Sequence, residues 1–143
     1  MKHYQLGLYE KAMPGTLSWR EKLKTAKRAG FDFVEISIDE SDEKLARLDM
    51  STAERMALVR EMSEAGLPIR SMCLRGHRKY PLGSSDPAVC TRSIEIMEKA
   101  VRLAADLGVR IIQLAGYDVY YEDSTPDTAA RFLENLSFAA MLA

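Results

Sequence analysis

The sequence is poor in the residues that build metal centres and disulfide frameworks. Its 143 residues include only 2 cysteines and 2 histidines. Cys73 lies in a strand-like pattern and Cys90 in a helix-like pattern, without the paired spacing of a disulfide or a zinc site. We therefore expect two free thiols in a reducing compartment. We also expect no metal site from His3, His77 and the scattered carboxylates, because a catalytic divalent metal needs several converging ligands.

Long apolar runs and an excess of charge are missing as well. The 20 basic and 21 acidic side chains leave a formal net charge of −1, so we expect neither a nucleic-acid binder nor a membrane-surface binder. No apolar stretch approaches the ~20 residues of a membrane span, and the first residues lack a signal-peptide core. No Gly-x-Gly-x-x-Gly, glycine-bracketed serine or Walker-type loop occurs. We predict a cytoplasmic protein with a single domain over residues 1–143.

One pattern occurs three times in the chain. An amphipathic helical segment ends at Gly30, Gly66 or Gly108, and a short apolar segment follows at once. Glycine suits the left-handed residue that closes a helix, because it has no Cβ to clash. With a first strand at residues 4–9 and a last helix from Pro126, the pattern predicts four βα units. Such units need either a doubly wound sheet or an eight-fold barrel to cover both strand faces.

The helix starts carry clear signals. Residues 17–29 show helical spacing of apolar side chains, and residues 51–65 open with a capping box between Ser51 and Glu54. Pro87 and Pro126 each stand at a first helical position, where the missing N–H costs nothing. These signals place the four helices between the predicted strands.

The predicted strands alternate apolar and polar rows, which favours a barrel over a doubly wound sheet. One row is apolar, and we assign it to the helix-covered face. The opposite row contains polar side chains such as Gln5, Glu35, Ser37, Ser71 and Gln113. A strand covered by helices on both faces would bury these groups at a cost of several kcal/mol each if unpaired (about 2–7). In a barrel with a polar mouth, the same groups can bind a ligand. We predict an α/β fold whose four units form half of a (βα)8 barrel.

Active sites of such barrels lie at the carboxyl ends of the strands, and the loop after the third strand is the most suggestive. Residues 75–85 combine three cations with His77 just ahead of a helix start. Cations and free N–H groups at a helix N-terminus favour an anion such as a phosphate or a carboxylate. The alternative is a solvated basic loop, and for His77 it is a structural hydrogen bond instead of a substrate contact.

One residue in mid-strand and three tyrosines after the fourth strand also permit two interpretations. Glu35 lies in the polar row between apolar neighbours, so it either accepts a substrate hydroxyl or forms a paired structural carboxylate. Tyr117, Tyr120 and Tyr121 either form an aromatic wall against a sugar or pack in the core. We expect the acidic run at residues 39–43 to be a solvated loop.

Several stretches resemble the beginning of the L-ribulose-5-phosphate 3-epimerases, also called L-xylulose-5-phosphate 3-epimerases. They are residues 6–12, 30–40, 47–49, 71–74, 77–78, 81–84 and 112–121. The resemblance runs from about Leu6 to Leu136 and includes the loops as well as the strands. It implies the N-terminal half of a xylose-isomerase-like barrel that serves bacterial catabolism of L-ascorbate and related sugars.

The resemblance also implies a chemistry, namely proton removal next to a ketone and return on the other face. In that family a divalent metal, manganese or zinc, holds the substrate oxygens, and two carboxylates act as acid and base. In that family the metal ligands and both carboxylates come from later strands, so neither is assigned to a residue of this chain. We therefore expect the isolated chain to be inactive. What the resemblance assigns to this chain is contact with a sugar phosphate, through Tyr9, Glu35, His77, Arg78, Gln113, Tyr117 and Asp118.

The last residues, 137–143, depart from the family's charged pattern, as a truncated gene, a frameshift or a shortened expression product would each produce. An alternative function follows, because a half barrel has open strand edges, which invite pairing. The chain would then be a non-catalytic module that forms a homodimer. The endonuclease branch of the same superfamily uses several histidines, and two do not suffice.

Overall fold

Strands and helices alternate along the chain, as the sequence pattern predicts. The computed structural model describes residues 4–143, so His3 lies outside the described residues. The elements are β1 (Gly7–Tyr9), α1 (Trp19–Arg28), β2 (Phe33–Ile38), α2 (Asp42–Leu45), α3 (Thr52–Ala65), β3 (Ile69–Leu74), α4 (Pro87–Leu107), β4 (Ile111–Gln113) and α5 (Pro126–Leu142). Short 3₁₀ turns occupy Glu10–Ala12, Ala46–Asp49 and Arg75–Arg78.

The four strands form one sheet in the order β1-β2-β3-β4. β1 runs parallel to β2, with Tyr9 opposite Glu35, and β3 runs parallel to β4, with Cys73 opposite Gln113. Each strand therefore lies beside the next one in sequence, joined by a helical connection. Sequential parallel strands without a change of winding direction are the arrangement of an α/β barrel.

The helix boundaries follow the predicted signals closely. Ser51 and Glu54 form the expected capping box, and Ser18 and Glu21 form a second one that the sequence analysis did not single out. The helix-closing glycines have φ values of +85° at Gly30, +60° at Gly66 and +71° at Gly108. Since L-residues rarely adopt this region, the three repeats depend on glycine.

The two faces of the sheet differ as predicted. Val34, Ile36 and Met72 are fully buried on the helix-covered face. On the opposite face Glu35 is half-buried, and the edge residue Ile111 is 62% exposed. The apolar row forms the core. In the polar row Glu35 and Gln113 stay accessible, whereas Ser37 and Ser71 are buried, contrary to the prediction for those two residues.

Three boundaries differ from the prediction. β1 begins at Gly7 and not at residue 4. Before it, the Leu6 N–H donates to the Asp32 side-chain carboxylate at 2.7 Å instead of to a strand carbonyl, and the Leu6 carbonyl accepts the Asp32 N–H at 2.8 Å. β4 is likewise shorter than predicted. The acidic run is not wholly a loop, since α2 begins within it: Ser41 caps the Lys44 N–H and Leu45 is buried.

Two compact units divide the described chain. The first comprises the chain up to Ser37 with Met50–Cys73 and Ala104–Gln113, and the second comprises Ile38–Asp49, Leu74–Leu103 and Leu114–Ala143. The units interleave along the sequence, and the single domain over residues 1–143 stays a prediction. In residues 4–143, no helix combines the length and the apolarity that a membrane span requires.

Candidate functional site

In the first unit, a buried ion pair supports the carboxyl ends of β1 and β2. Glu10 and Lys22 are 1% and 3% exposed, and Glu10 Oε1 lies 3.6 Å from Lys22 Nζ. The other carboxylate oxygen, Oε2, accepts the Ser37 backbone N–H at 3.0 Å. The Ser37 hydroxyl in turn lies 3.0 Å from the Tyr9 hydroxyl. One side chain of α1 thus helps to fix the predicted site residue Tyr9.

The environment of Tyr9 favours the protonated form of its hydroxyl. Burial raises its pKa, and the neighbouring Cys73 acts in the same direction, while the hydrogen bond with Ser37 opposes them. The hydroxyl therefore stays protonated at neutral pH and can donate or accept a hydrogen bond.

The polar row of β2 and β3 contains a second pair. Ser71 donates its hydroxyl to Glu35 Oε2 at 2.7 Å. An open groove of about 1040 Å³ lies beside this pair. Its lining combines Glu35, Ser71 and Gln113 with the end of α3 and the turns that precede β3 and β4, including Met62, Leu67 and Gly108. Glu35 and Gln113 therefore reach the same groove, and the hydrogen bond with Ser71 is the structural pairing that the sequence left open for Glu35.

The second unit brings a cation and three tyrosines together. The Arg78 guanidinium lies 4.5 Å from the Tyr120 ring centre and 3.8 Å from Glu40 Oε1. The rings of Tyr117 and Tyr120 are 5.1 Å apart, and those of Tyr120 and Tyr121 are 4.8 Å apart with an edge-to-face angle of 87°. Tyr121 donates its hydroxyl to Glu40 Oε2 at 3.2 Å. The three tyrosines form a cluster, with Arg78 stacked on its central ring, and a wall against a sugar stays a prediction.

His77 is buried at 3% exposure. Its Nε2 donates to the Ser93 carbonyl oxygen at 3.0 Å, and Nδ1 has no hydrogen-bond partner among the described residues. Burial lowers the pKa of His77, with the Ser93 hydrogen bond opposing it. His77 is therefore a neutral imidazole with one free acceptor nitrogen. Its hydrogen bond to Ser93 is the structural role that the sequence analysis named as the alternative to a substrate contact.

Asp118 organises the loop before α5. Its carboxylate accepts hydrogen bonds from the hydroxyls of Thr128 and Ser124, which lower its pKa. Its backbone carbonyl accepts the Gly83 N–H at 3.0 Å. The loop that carries Tyr117 is therefore tied to the start of α5 through this aspartate.

The start of α4 holds carboxylates where the sequence suggested an anion site. Asp86 Oδ1 accepts the Ala88 N–H at 2.8 Å, and Glu122 Oε2 accepts the Ser85 N–H at 3.1 Å. Lys79, one of the loop cations, pairs with Asp42 at 3.6 Å. A phosphate would therefore depend on Arg78 more than on this helix N-terminus.

Sequence reasoning missed the Glu10–Lys22 pair and Glu40. No local signal marks the pair, because Lys22 lies among the charged residues of α1 and Glu10 lies in the turn after β1. In residues 4–143, no group of three or more histidine, cysteine, aspartate or glutamate side chains is arranged to hold a metal ion.

Comparison with protein families identifies the architecture. The family model described as xylose isomerase-like TIM barrel matches residues 23–143. A structure of D-psicose 3-epimerase, determined in the presence of D-fructose, superposes with a TM-score of 0.76 at 17% identity, over 97% of this chain and 50% of that one. An L-ribulose 3-epimerase structure gives a TM-score of 0.69 at 24% identity, over 96% and 45%. These likenesses confirm the half-barrel fold.

Curated relatives confirm the resemblance seen in the sequence. A protein of Escherichia coli named putative L-ribulose-5-phosphate 3-epimerase SgbU is 59% identical over 139 residues, which are 97% of this chain and 49% of that protein. The L-ribulose-5-phosphate 3-epimerase UlaE of Salmonella heidelberg is 53% identical over 135 residues, or 94% and 48%. The chain spans about half the length of these relatives.

Proposed function

Because this chain belongs to the xylose isomerase-like TIM barrel family, we propose that it supplies the substrate-binding half of a pentulose-phosphate 3-epimerase. The reaction interconverts L-xylulose 5-phosphate and L-ribulose 5-phosphate, in the cytoplasm and in the catabolism of L-ascorbate and related sugars. The observation that carries the proposal is the 59% identity to the Escherichia coli relative, which extends over 97% of the chain. The matched length, 97% of this chain, includes the strand-end loops as well as the core.

In the first unit we propose that Tyr9, Glu35 and Gln113 bind sugar hydroxyls. The Tyr9 phenol, kept protonated by burial, is suited to donate a hydrogen bond. Glu35 uses one carboxylate oxygen for Ser71 and has the other for a ligand hydroxyl. Gln113 is exposed and offers both a donor and an acceptor.

In the second unit we propose that Arg78 binds the phosphate. Its guanidinium is oriented by Tyr120, and its contact to Glu40, at 3.8 Å, is long enough to be exchanged for a dianion. Tyr117 offers a half-buried ring of the kind that packs against the apolar face of a sugar. We propose that His77 and Asp118 act close to the substrate by holding these loops, His77 through α4 and Asp118 through α5.

Epimerisation at carbon 3 requires a base that removes the proton next to the ketone and an acid that returns one on the opposite face. We propose that this pair, and the manganese or zinc that the resemblance implies, take no ligand or base from this chain. The support is the lack of a metal-ligand cluster in the described residues, 4–143. The chain by itself would then bind but not convert the sugar.

A direct assay tests this proposal. The purified chain is incubated with L-xylulose 5-phosphate and Mn²⁺ or Zn²⁺, and formation of L-ribulose 5-phosphate is followed. We expect no turnover above the buffer blank, with the full-length L-ribulose-5-phosphate 3-epimerase UlaE of Salmonella heidelberg as the positive control. Robust turnover by the chain alone would show that the essential groups are present in it.

A further inference from the structure

The Glu40 side chain lies where three loops of the second unit meet. Glu40 stands two residues after β2, and its carboxylate contacts Arg78, from the turn after β3, and Tyr121, from the loop after β4. All three side chains reach solvent, with 32% exposure for Glu40, 24% for Arg78 and 68% for Tyr121. A carboxylate of the chain therefore occupies a position that an anion from solution can also reach.

Both contacts of this carboxylate are long. The Arg78 guanidinium lies 3.8 Å from Glu40 Oε1, whereas a charge-assisted N–H hydrogen bond measures about 2.7–2.9 Å. The Tyr121 hydroxyl lies 3.3 and 3.2 Å from the two carboxylate oxygens, and a hydroxyl that donates strongly to a carboxylate lies at about 2.5–2.7 Å. Glu40 attracts both donors without forming a short hydrogen bond with either.

The guanidinium has hydrogen-bonding capacity beyond this contact. It is stacked 4.5 Å from the centre of the Tyr120 ring, an arrangement that orients its plane. Its buried Nε has no hydrogen-bond partner among the residues that the structure describes. A guanidinium binds a phosphate through two parallel hydrogen bonds, and the Tyr121 hydroxyl, which donates to the same carboxylate as Arg78, is placed to add a third.

We propose that Glu40 is an internal competitor for anions at Arg78, and that a bound anion takes over the Tyr121 hydroxyl as well. The proposal rests on the proposed function in one respect, the assignment of the phosphate to Arg78. A phosphate monoester carries a charge of about −1.5 to −2 at neutral pH, and it displaces the single charge of Glu40 towards solvent.

This competition lowers the affinity for every anion, because each must displace Glu40 first. A small anion offers nothing beyond its charge to offset that cost. A sugar phosphate also binds through its hydroxyl groups, so it fills the site where free phosphate does not. Glu40 is thus a specificity residue that does not itself bind the substrate.

Titration of the whole chain with inorganic phosphate, followed by NMR, tests the proposal. Glu40→Gln keeps the size of the side chain and removes its charge, and we expect it to bind phosphate at least about threefold more tightly than the parent, the scale of a partly exposed charge pair. Glu43→Gln, an exposed position of the same acidic run, is the matched control. It should stay within about twofold of the parent at about 0.15 M salt, because salt screens distant charges.

The contribution of Tyr121 is measured in the Glu40→Gln chain, where the competitor is gone. Tyr121→Phe should weaken phosphate binding there by about tenfold, the scale of one hydrogen bond to a charged acceptor. In the parent the same substitution should cost less, since the hydroxyl also holds Glu40 in place. Equal losses in the two chains, or none in either, would overturn the role of Tyr121.

Three results would overturn the competition itself. They are weaker or unchanged phosphate binding by Glu40→Gln, equal gains in Glu40→Gln and Glu43→Gln, and no detectable binding by the Glu40→Gln chain. The amide NMR spectrum of each variant verifies that the fold is retained. Arg78→Ala in the Glu40→Gln chain should abolish binding. Binding that survives this change would contradict the assignment of the phosphate to Arg78, whereas the three results above leave the proposed function standing.

Discussion

The Lys22 ammonium lies 3.6 Å from the Glu10 carboxylate, with side chains only 4% and 1% exposed. The pair joins α1 to the turn after β1, and Glu10 extends the link to β2 through the Ser37 N–H. Burying two charges carries a desolvation cost that the attraction only partly offsets. We infer that the pair is important for the geometry that it fixes beneath Tyr9.

Removal of one partner should therefore be severe. Lys22→Met leaves the Glu10 carboxylate buried without its cation, and we expect a loss of about 3–5 kcal/mol in the free energy of unfolding. Lys24→Met, at an exposed position of the same helix, is the control and should stay within about 0.5 kcal/mol of the parent. Urea unfolding measures both, and equal effects of the two substitutions would contradict the assigned role.

Gly83 is in a place where no side chain fits. A Cβ there would lie 2.5 Å from the Thr128 carbonyl oxygen and 2.6 Å from that of Asp118. Because both obstacles are backbone atoms, Gly83→Ala should destabilise the protein by about 1–3 kcal/mol or more. Gly116→Ala, in the loop that contains Asp118, meets nothing within 4 Å and should be nearly neutral. Thermal unfolding of the two variants side by side provides the comparison.

His77 should make stability depend on pH. Burial lowers its pKa below the ordinary 6.5, so the unfolded chain binds the proton more readily than the folded one. The stabilisation is fully present above the unfolded pKa and is lost as the pH falls through the lower folded pKa. Urea unfolding at about pH 7.5 and about pH 5.5 should show this decrease. We expect His77→Gln to reduce the decrease, and an unchanged decrease in that variant would assign the pH dependence to other groups.

Arg78 should determine the preference for a phosphorylated substrate. The test uses an active enzyme assembled from this chain and the half of a relative that this chain does not match. In it, Arg78→Ala should raise KM for L-xylulose 5-phosphate by about 10- to 100-fold, because one or two charge-assisted hydrogen bonds to the phosphate are lost. The value of kcat should change little. Arg102→Ala, at an exposed position of α4, is the control. A loss confined to kcat would contradict a binding role.

Much of the fold could be predicted from the sequence, because its signals are local. Gly30, Gly66 and Gly108 each close a helix by a conformation that few other residues adopt. Capping by Ser51 and the prolines at the helix starts depend on one or two positions. The alternation of apolar and polar residues in β2 then determined which face is covered by helices.

The site was harder to predict, because it depends on contacts between distant residues. Lys22 looks like one more surface lysine in a charged helix, and only the fold brings it beside Glu10. Ser41 caps a helix of four residues that is too short to show a period. The carboxylate of Asp86 at the start of α4 was visible in the sequence, but its hydrogen bond to Ala88 was not.

Complementation of the epimerase activity tests the central claim most directly. The chain is mixed with the part of the Salmonella heidelberg UlaE that it does not match, which is about half of that protein. Conversion of L-xylulose 5-phosphate is then measured with Mn²⁺ or Zn²⁺. The account predicts no turnover from either piece alone and turnover from the mixture, reduced in the mixture by Arg78→Ala and not by Arg102→Ala. If a mixture in which the two pieces demonstrably bind each other remains inactive, the claim that this chain supplies the substrate-binding half is contradicted.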